Sequence, residues 1–413
     1  MNEQKEKLIQ YLLLAVPSSF IIIGGLLQEP MEIFNGFKKI VQFPDSLITD
    51  YIAIGGISAT LMNAGILMLL NFWVLRKTGM QINGFFIAGY FIIGGFAFMG
   101  NNLVNVLPIY GGTYLYAKYQ KEDYKRFAVI GIFSTSLAPL ITEIVYLTDN
   151  TIGAKVTAGI MVGLFLGFIM PVLAAHMMKF HEGFNLYNVG FTSGVIGTVV
   201  VAVMRGYGVV ISSHLVVSSN HERLLVILVV AYALLFIGVG YYLNQDYQIK
   251  YRQVFKYSGR LITDYVMLTG YGTTLINMGL MALVGVGYVA LSGADYNGAV
   301  MAGIMTLTGF SALGNHPKNS IPIMLGVFIG AYTKIWDLSS VGVVISGLFG
   351  TTLAPIAGVY GAWAGMVAGF LHLSVVMNIG YLHGGVNLYN NGFSGGLVAA
   401  VLVPIIDAFR REE

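Results

Sequence analysis

Two short polar stretches inside strongly apolar sequence carry the side chains that could do chemistry. Their polar members are Asn101, Asn102 and Asn105 in the first stretch, and Asn315, His316 and Asn319 in the second. Amide side chains offer hydrogen-bond donors and acceptors, which suits the binding of a neutral polar solute or a small anion. Each stretch also contains glycine and proline, which disfavour a continuous helix. A broken helix at membrane depth persists only where protein or water covers it, so the pattern predicts the lining of a transport pathway.

The same side chains could instead cap the ends of the broken helices. Pro317 suits the first turn of a helix, with Asn315 or His316 near the cap position. A helix N-terminus at this point would also direct free N–H groups towards the pathway. The presence of two copies favours a binding function, although capping and binding can coexist.

A second amide-rich set follows a histidine, His181 or His383, in each half of the chain. Its members are Asn185, Tyr187 and Asn188 in the first half, and Asn387, Tyr389, Asn390 and Asn391 in the second. Asparagine and glycine at the start of a span could equally form a capped, closely packed interface helix, so function and structure are balanced interpretations. The asparagines included in the predicted pathway are Asn185, Asn188, Asn387 and Asn390.

One carboxylate, Glu143, stands inside an apolar run. An ionisable side chain within the membrane is energetically costly, so it usually has a function. Here that function would be a coupling site for a proton or a cation. Asp149 follows a few residues later, so a position at the membrane surface is the preferred interpretation. Asp50 and Asp264 stand at the starts of apolar segments and are predicted to cap them.

The composition explains where these residues must lie. Of the 413 residues, 56% are hydrophobic and 10% are charged, with a mean hydropathy of +0.75, whereas soluble domains carry about 25% charged residues. The apolar residues form blocks of about the length of a membrane span, and 53 glycines suit close helix packing. The sequence therefore predicts an all-α polytopic membrane protein.

Several functional classes are disfavoured. The chain has no cysteine, which excludes disulfides and thiolate metal sites. It has no glycine-rich phosphate loop, metal-binding histidine pair or nucleophile elbow, so we expect no enzyme, no cofactor and no metal. The net charge of +3 comes from basic residues in loops, which indicates membrane orientation and not nucleic-acid binding.

The chain contains an internal repeat. Residues 47–51 recur as residues 261–265, and Asn101 and Asn105 recur at the same offset as Asn315 and Asn319. Residues 133–139 match 349–355, and residues 181–188 match 383–390. Polar residues in constant register are not what chance similarity between apolar segments gives. We predict a first repeat over 1–206 with its core at 47–204, a linker over 207–223, and a second repeat over 224–413 with its core at 261–406.

Basic residues predict how the two repeats lie in the membrane. Lys118, Lys121, Lys125 and Arg126 follow the first break, whereas the heavy cluster of the second half is Lys250, Arg252, Lys256 and Arg260, at a different place in the repeat. Because lysine and arginine favour the cytoplasmic side, this swap indicates that the second half is inverted. A parallel duplication with an even number of spans is the alternative. We expect the two breaks to enter from opposite faces and to meet near the midplane.

Residues 101–116, 184–197 and 393–398 carry a resemblance to known proteins. The chain resembles a family of uncharacterised bacterial multi-pass membrane proteins, a domain of unknown function, and is more distantly similar to the urea-transporter class of channels. In that class an Asn-Pro-type stretch opens each half, and a Gly-aromatic-Asn stretch, as in Gly183-Phe184-Asn185, heads a later span. The resemblance implies two inverted halves of five spans with a tilted half-helix, a trimeric assembly and facilitated diffusion of urea.

Together these features predict a multi-pass transport protein of the bacterial plasma membrane. It would pass a small polar solute or a small anion through the lipid bilayer, in a channel-like or uncoupled manner, as a trimer or dimer. One alternative is a secondary transporter coupled to H⁺ or Na⁺, and another is a membrane sensor or assembly protein that transports nothing.

Overall fold

The computed structural model describes residues 3–147, 151–209, 211, 215–219, 222–244 and 251–410. Asp149 and Lys250, named above, lie outside these ranges. The α-helices within them are α1 (Glu3–Leu27), α2 (Pro30–Gln42), α3 (Tyr51–Lys77), α4 (Gly84–Phe96), α5 (Leu103–Gln120), α6 (Ala128–Ser134), α7 (Ala138–Leu147), α8 (Ile152–His181), α9 (Asn188–Gly206), α10 (Glu222–Asn244), α11 (Tyr265–Ser292), α12 (Gly298–Phe310), α13 (Pro317–Thr333), α14 (Val341–Gly350), α15 (Ala354–Tyr360), α16 (Ala362–Ile379) and α17 (Asn390–Phe409).

Ten helical segments in the described ranges are long and apolar enough to cross a membrane. Five lie in each half of the chain. Helices α6 and α7 count as one segment, Ala128–Tyr146, and α14 and α15 as another, Val341–Tyr360, because only one turn of 3₁₀ helix separates the members of each pair. The predicted all-helical, multi-pass membrane protein is therefore confirmed.

Helices α3 and α11 occupy matching places in the two halves and share two local features. Asp50 accepts a hydrogen bond from the backbone N–H of Ile52 (2.8 Å), and Asp264 accepts one from Met267 (3.1 Å), so both aspartates cap their helices as predicted. Each helix is then interrupted one and a half turns later by a glycine with positive φ, +83° at Gly56 and +80° at Gly270. Both helices are therefore kinked at the same point.

Helices α4 and α5 form a hairpin along α3. The amide of Asn63 in α3 donates to the carbonyls of Ala97 and Asn101 at the tip, both at 2.8 Å. Further along α3, Phe72 contacts Phe86 near the start of α4, with 5.8 Å between ring centroids. One residue before Phe72, Asn71 accepts a hydrogen bond from the hydroxyl of Tyr110 in α5 (2.8 Å). The hairpin therefore starts and finishes towards the same end of α3.

Helix α4 packs antiparallel against its counterpart α12. Gly84, at the start of α4, lies against the carbonyl of Ala312, just beyond the end of α12. Gly298, at the start of α12, lies against the carbonyl of Phe98, just beyond the end of α4. The breaks after the two helices therefore lie at opposite ends of this pair, about 18 Å apart for a helix of this length. The expectation that the two breaks meet was wrong, because equivalent helices that run antiparallel place equivalent ends far apart.

Helices α9 and α17 meet instead, close to their N-termini. Gly190 of α9 lies directly against Gly392 of α17, its equivalent in the repeat, and no side chain separates the two backbones. The rings of Tyr187 and Tyr389 lie 5.3 Å apart just before this crossing. Matched residues of the two halves therefore contact each other at this point.

Candidate functional site

At the first break the capping interpretation accounts for two of the predicted site residues. The side-chain oxygen of Asn102 accepts hydrogen bonds from the backbone N–H groups of Val104 (3.0 Å) and Asn105 (3.1 Å). In return, the side-chain oxygen of Asn105 accepts one from the N–H of Asn102 (2.9 Å). This reciprocal pair is a capping box that starts α5.

The second break repeats this arrangement with a histidine in place of an asparagine. Nδ1 of His316 accepts a hydrogen bond from the N–H of Asn319 (3.3 Å), and the oxygen of Asn319 accepts one from the N–H of His316 (2.9 Å). Nε2 of His316 lies 3.0 Å from the carbonyl oxygen of Tyr257. His316 and Asn319 are thus engaged at the start of α13.

Asn101 and Asn315 behave differently from the other break residues. Their amide nitrogens donate to the hydroxyls of Thr135 (2.8 Å) and Thr351 (3.3 Å), respectively. Their oxygens, however, are fully buried and have no hydrogen-bond partner among the described residues. A buried acceptor without a partner costs about 1–3 kcal/mol, so these two oxygens are open to a ligand or to water.

The amide set that follows each histidine is used within the fold. Asn188 and Asn390 bridge their histidines, at 3.0 and 2.9 Å, to carbonyls of the preceding helices, Ala174 and Val376. Asn185 donates to the carbonyl of Gly392 (2.9 Å), and Asn387 donates to that of Gly190 (3.4 Å). Each asparagine therefore forms a hydrogen bond between the two halves of the chain. The hydrogen bonds support the structural interpretation for these four asparagines.

An aromatic cluster surrounds the contact between Tyr187 and Tyr389. Tyr187 contacts Phe310, and Tyr389 contacts Phe96, with ring centroids 4.5 and 4.6 Å apart. Phe133 and Phe349 stack on Phe310 and Phe96 to complete the cluster. The hydroxyls of Tyr187 and Tyr389 are buried and, like the oxygens of Asn101 and Asn315, make no hydrogen bond of standard geometry to a described residue, although that of Tyr187 interacts with Thr351. Polar atoms at equivalent positions in both halves therefore lack a hydrogen bond of standard geometry.

A cavity of about 370 Å³ leads from the surface to this cluster. Lys125 and Arg126 line its outer part, and Tyr187, Tyr389, Phe133 and Phe310 line its inner part. Its remaining walls are largely apolar, formed by side chains such as Met80, Val129 and Leu313. The cavity therefore extends from a basic loop to the two central tyrosines, Tyr187 and Tyr389.

Sequence reasoning placed some of these residues correctly and missed others. Tyr187 and Tyr389 belong to the amide-rich set that follows His181 and His383. Nothing in the sequence, however, distinguishes their hydroxyls from those of the other tyrosines. Glu143 is 6% exposed within the protein and interacts electrostatically with the buried Asp45, and its position at the membrane surface stays a prediction. Asp45 stands in a polar connection, so nothing in the sequence indicated that it is buried. Within the described ranges, no three potential metal ligands come together.

Comparison with known proteins identifies one family. Residues 29–206 and 243–408 match the family model described as "Protein of unknown function (DUF1576)". Neither a curated protein nor a solved structure matches the chain.

Proposed function

The chain belongs to this family of unknown function, and we propose that it passes a small polar solute across a membrane through the aromatic cluster between its two halves. The observation that carries the proposal is the set of four open polar atoms, the oxygens of Asn101 and Asn315 and the hydroxyls of Tyr187 and Tyr389. Buried polar atoms are almost always paired, and those that are not need a specific explanation. A solute that binds to these atoms only while it passes through the protein would explain why they are unpaired.

The chemistry of these atoms favours a solute that both donates and accepts hydrogen bonds. The asparagine oxygens can only accept, whereas the tyrosine hydroxyls can donate. A small neutral amide satisfies both kinds of group, and flat aromatic walls suit a planar molecule. A small anion is the second candidate, because Lys125 and Arg126 at the outer part of the cavity would attract it.

The arrangement of the helices supports a pathway between two inverted halves. The antiparallel packing of α4 and α12 is what an inverted duplication produces, and five candidate spans in each half make an odd number of crossings. Transport proteins of this architecture place their sites at the interface of the repeats. The proposed site lies at such an interface, since Tyr187 and Tyr389 come from different halves.

Uptake into proteoliposomes tests the proposal. Purified protein should pass urea, formamide or a small anion, and Tyr187→Phe and Tyr389→Phe should each slow passage about tenfold, as expected for the loss of one hydrogen bond worth about 1.4 kcal/mol in the rate-limiting state. Asn101→Leu and Asn315→Leu should block it. Tyr119→Phe is the matched control, because Tyr119 is 72% exposed and far from the cluster in its contacts.

Three outcomes would contradict the proposal. The first is the absence of flux for every solute, which would favour a sensor or an assembly protein. The second is unchanged flux in both central tyrosine variants. The third is an equal loss of flux in Tyr119→Phe, which would show that the effect is not specific to the cluster.

A further inference from the structure

A second polar site lies beside the first break and has no counterpart in the second half. Asp45, in the connection between α2 and α3, is fully buried. One of its oxygens, Oδ2, accepts hydrogen bonds from the amide of Asn105 and the hydroxyl of Thr142, both at 3.2 Å. The other, Oδ1, has no partner among the described residues.

A second carboxyl group interacts with this aspartate. Glu143 follows Thr142 in α7, is 6% exposed, and has one oxygen, Oε1, that also lacks a partner in the described part of the chain. The ionisable groups that interact with Asp45 are Glu143 and Tyr146 of α7 and Tyr51 of α3. None of the ion pairs between described residues includes Asp45 or Glu143. Two buried carboxylates without a cation cannot both be ionised at low cost.

The second half shows that the fold itself does not need this pair. At the repeat offsets, Gly259, Gly358 and Val359 stand where the first half has Asp45, Thr142 and Glu143. The amide of Asn319, the counterpart of Asn105, donates instead to the backbone carbonyl of Ser258 at the same distance, 3.2 Å. A neutral backbone group is therefore sufficient to hold the capping residue, and the two carboxyl groups are an addition to one half only.

We propose that Asp45 and Glu143 form a proton-binding site that holds one proton between them at the first break. Asn105 and Thr142 bind Oδ2, and the Tyr51 hydroxyl also interacts with the carboxyl group of Asp45, so the proton would be held by Oδ1 of Asp45 or Oε1 of Glu143. When the proton leaves, two like charges share a closed space next to Asn105, which caps α5. The site does not depend on the proposed transport function, and it would give the first break a response to carboxyl deprotonation that the second break, which lacks the pair, does not have.

Infrared spectroscopy of the purified full-length protein in lipid nanodiscs tests this site without any transport assay. At neutral pH the wild-type spectrum should contain a protonated carboxyl band that Asp45→Asn weakens, because only Glu143 is then left to hold the proton. Glu143→Gln should keep that band but move its loss on titration to lower pH, because the repelling carboxylate is gone. Asp295→Asn, at an exposed aspartate, should leave the band and its titration unchanged.

Thermal stability gives a second measurement on the same variants. Burial raises the pKa of Asp45 well above the usual 3.8, so the folded protein keeps a proton that the unfolded chain has released. The contribution of Asp45 to stability is therefore lost progressively as pH rises from about 4 towards its pKa in the folded protein. The melting temperature of Asp45→Asn should depend less on pH than that of the wild type or Asp295→Asn.

Two results would overturn the inference. One is a carboxyl band in Asp45→Asn that equals the wild-type band at every pH. The other is a Glu143→Gln titration identical to that of the wild type, which would show that the two groups do not share a proton. Because both tests read protonation and not flux, they can fail or succeed independently of the proposed transport function.

Discussion

Single asparagines hold each broken helix by satisfying backbone groups that the break exposes. Asn63 donates to two carbonyls at the first break, and Asn277 donates to the carbonyls of Ser311 and Asn315 at the second, both at 2.7 Å. The sequence suggested capping of the breaks by amide side chains only as the alternative to a binding function, from their local spacing to glycine and proline. It could not show that Asn63, about forty residues upstream, reaches the same backbone, since that contact depends on how α3 packs.

Replacement of Asn63 by leucine should destabilise the protein by about 2–6 kcal/mol. The variant leaves two buried carbonyls without a donor, at about 1–3 kcal/mol each. Thermal or denaturant unfolding in detergent measures the change, with Asn378→Leu as the control because Asn378 is exposed and bonds only to a carbonyl of its own helix. A change below about 0.5 kcal/mol in Asn63→Leu would show that water replaces the amide.

At the scale of the element, the kinks in α3 and α11 follow from one residue each. Gly270 has φ +80° and ψ 169°, a conformation that is essentially restricted to glycine. The apolar composition of this segment indicates a membrane span, but it reports which residues are apolar and not the local backbone conformation. The matched glycine at position 56 was visible in the repeat, but its positive φ was not.

Gly270→Ala should cost about 1–3 kcal/mol through backbone conformation alone. An added Cβ would meet no atom within 4 Å at this position, so steric overlap cannot contribute. Gly287→Ala in the same helix is the control, since it also has free space but ordinary helical geometry, and it should be neutral or stabilise by up to about 1 kcal/mol. Equal effects in the two variants would refute the role given to the kink.

The crossing of α9 and α17 depends on the absence of side chains. A Cβ on Gly194 would overlap the ring of Phe393, whereas one on Gly206, later in α9, would meet nothing. We expect Gly194→Ala to lower stability by about 1–3 kcal/mol through overpacking, and Gly206→Ala to change it little. Comparison of their unfolding transitions checks this, and a neutral Gly194→Ala would mean that the two helices can separate without loss.

At the scale of the whole molecule, the sequence predicted the duplication correctly. It did not predict which matched residues of the two halves contact each other. Matched polar residues fix the register of the two halves, because the register is a property of the chain alone. Which equivalent residues touch depends instead on where the axis between the halves lies. In the structure Tyr187 and Tyr389 are the matched residues that meet, and the two amide-rich breaks do not.

The proposed inversion makes a direct prediction about loop accessibility. Lys121 follows α5, and Ile335, its counterpart at the repeat offset, follows α13; both are exposed, Ile335 at 93%. The chain has no cysteine, so Lys121→Cys and Ile335→Cys each introduce a single thiol without a background signal. A membrane-impermeant maleimide applied to intact cells should label Cys at one position only, and we expect it to be position 335, because the basic loop around Lys121 favours the cytoplasm.

Permeabilised cells provide the control, since both thiols should then react. Labelling of both positions from the same side in intact cells would refute the inversion. The hairpin after α3 returns to its starting end, and equivalent helices α4 and α12 run antiparallel. If both loops nevertheless faced one side, the axis between the halves could not lie in the membrane plane. The tyrosine cluster would then no longer be reached equivalently from the two faces, and the proposed pathway would fail with it.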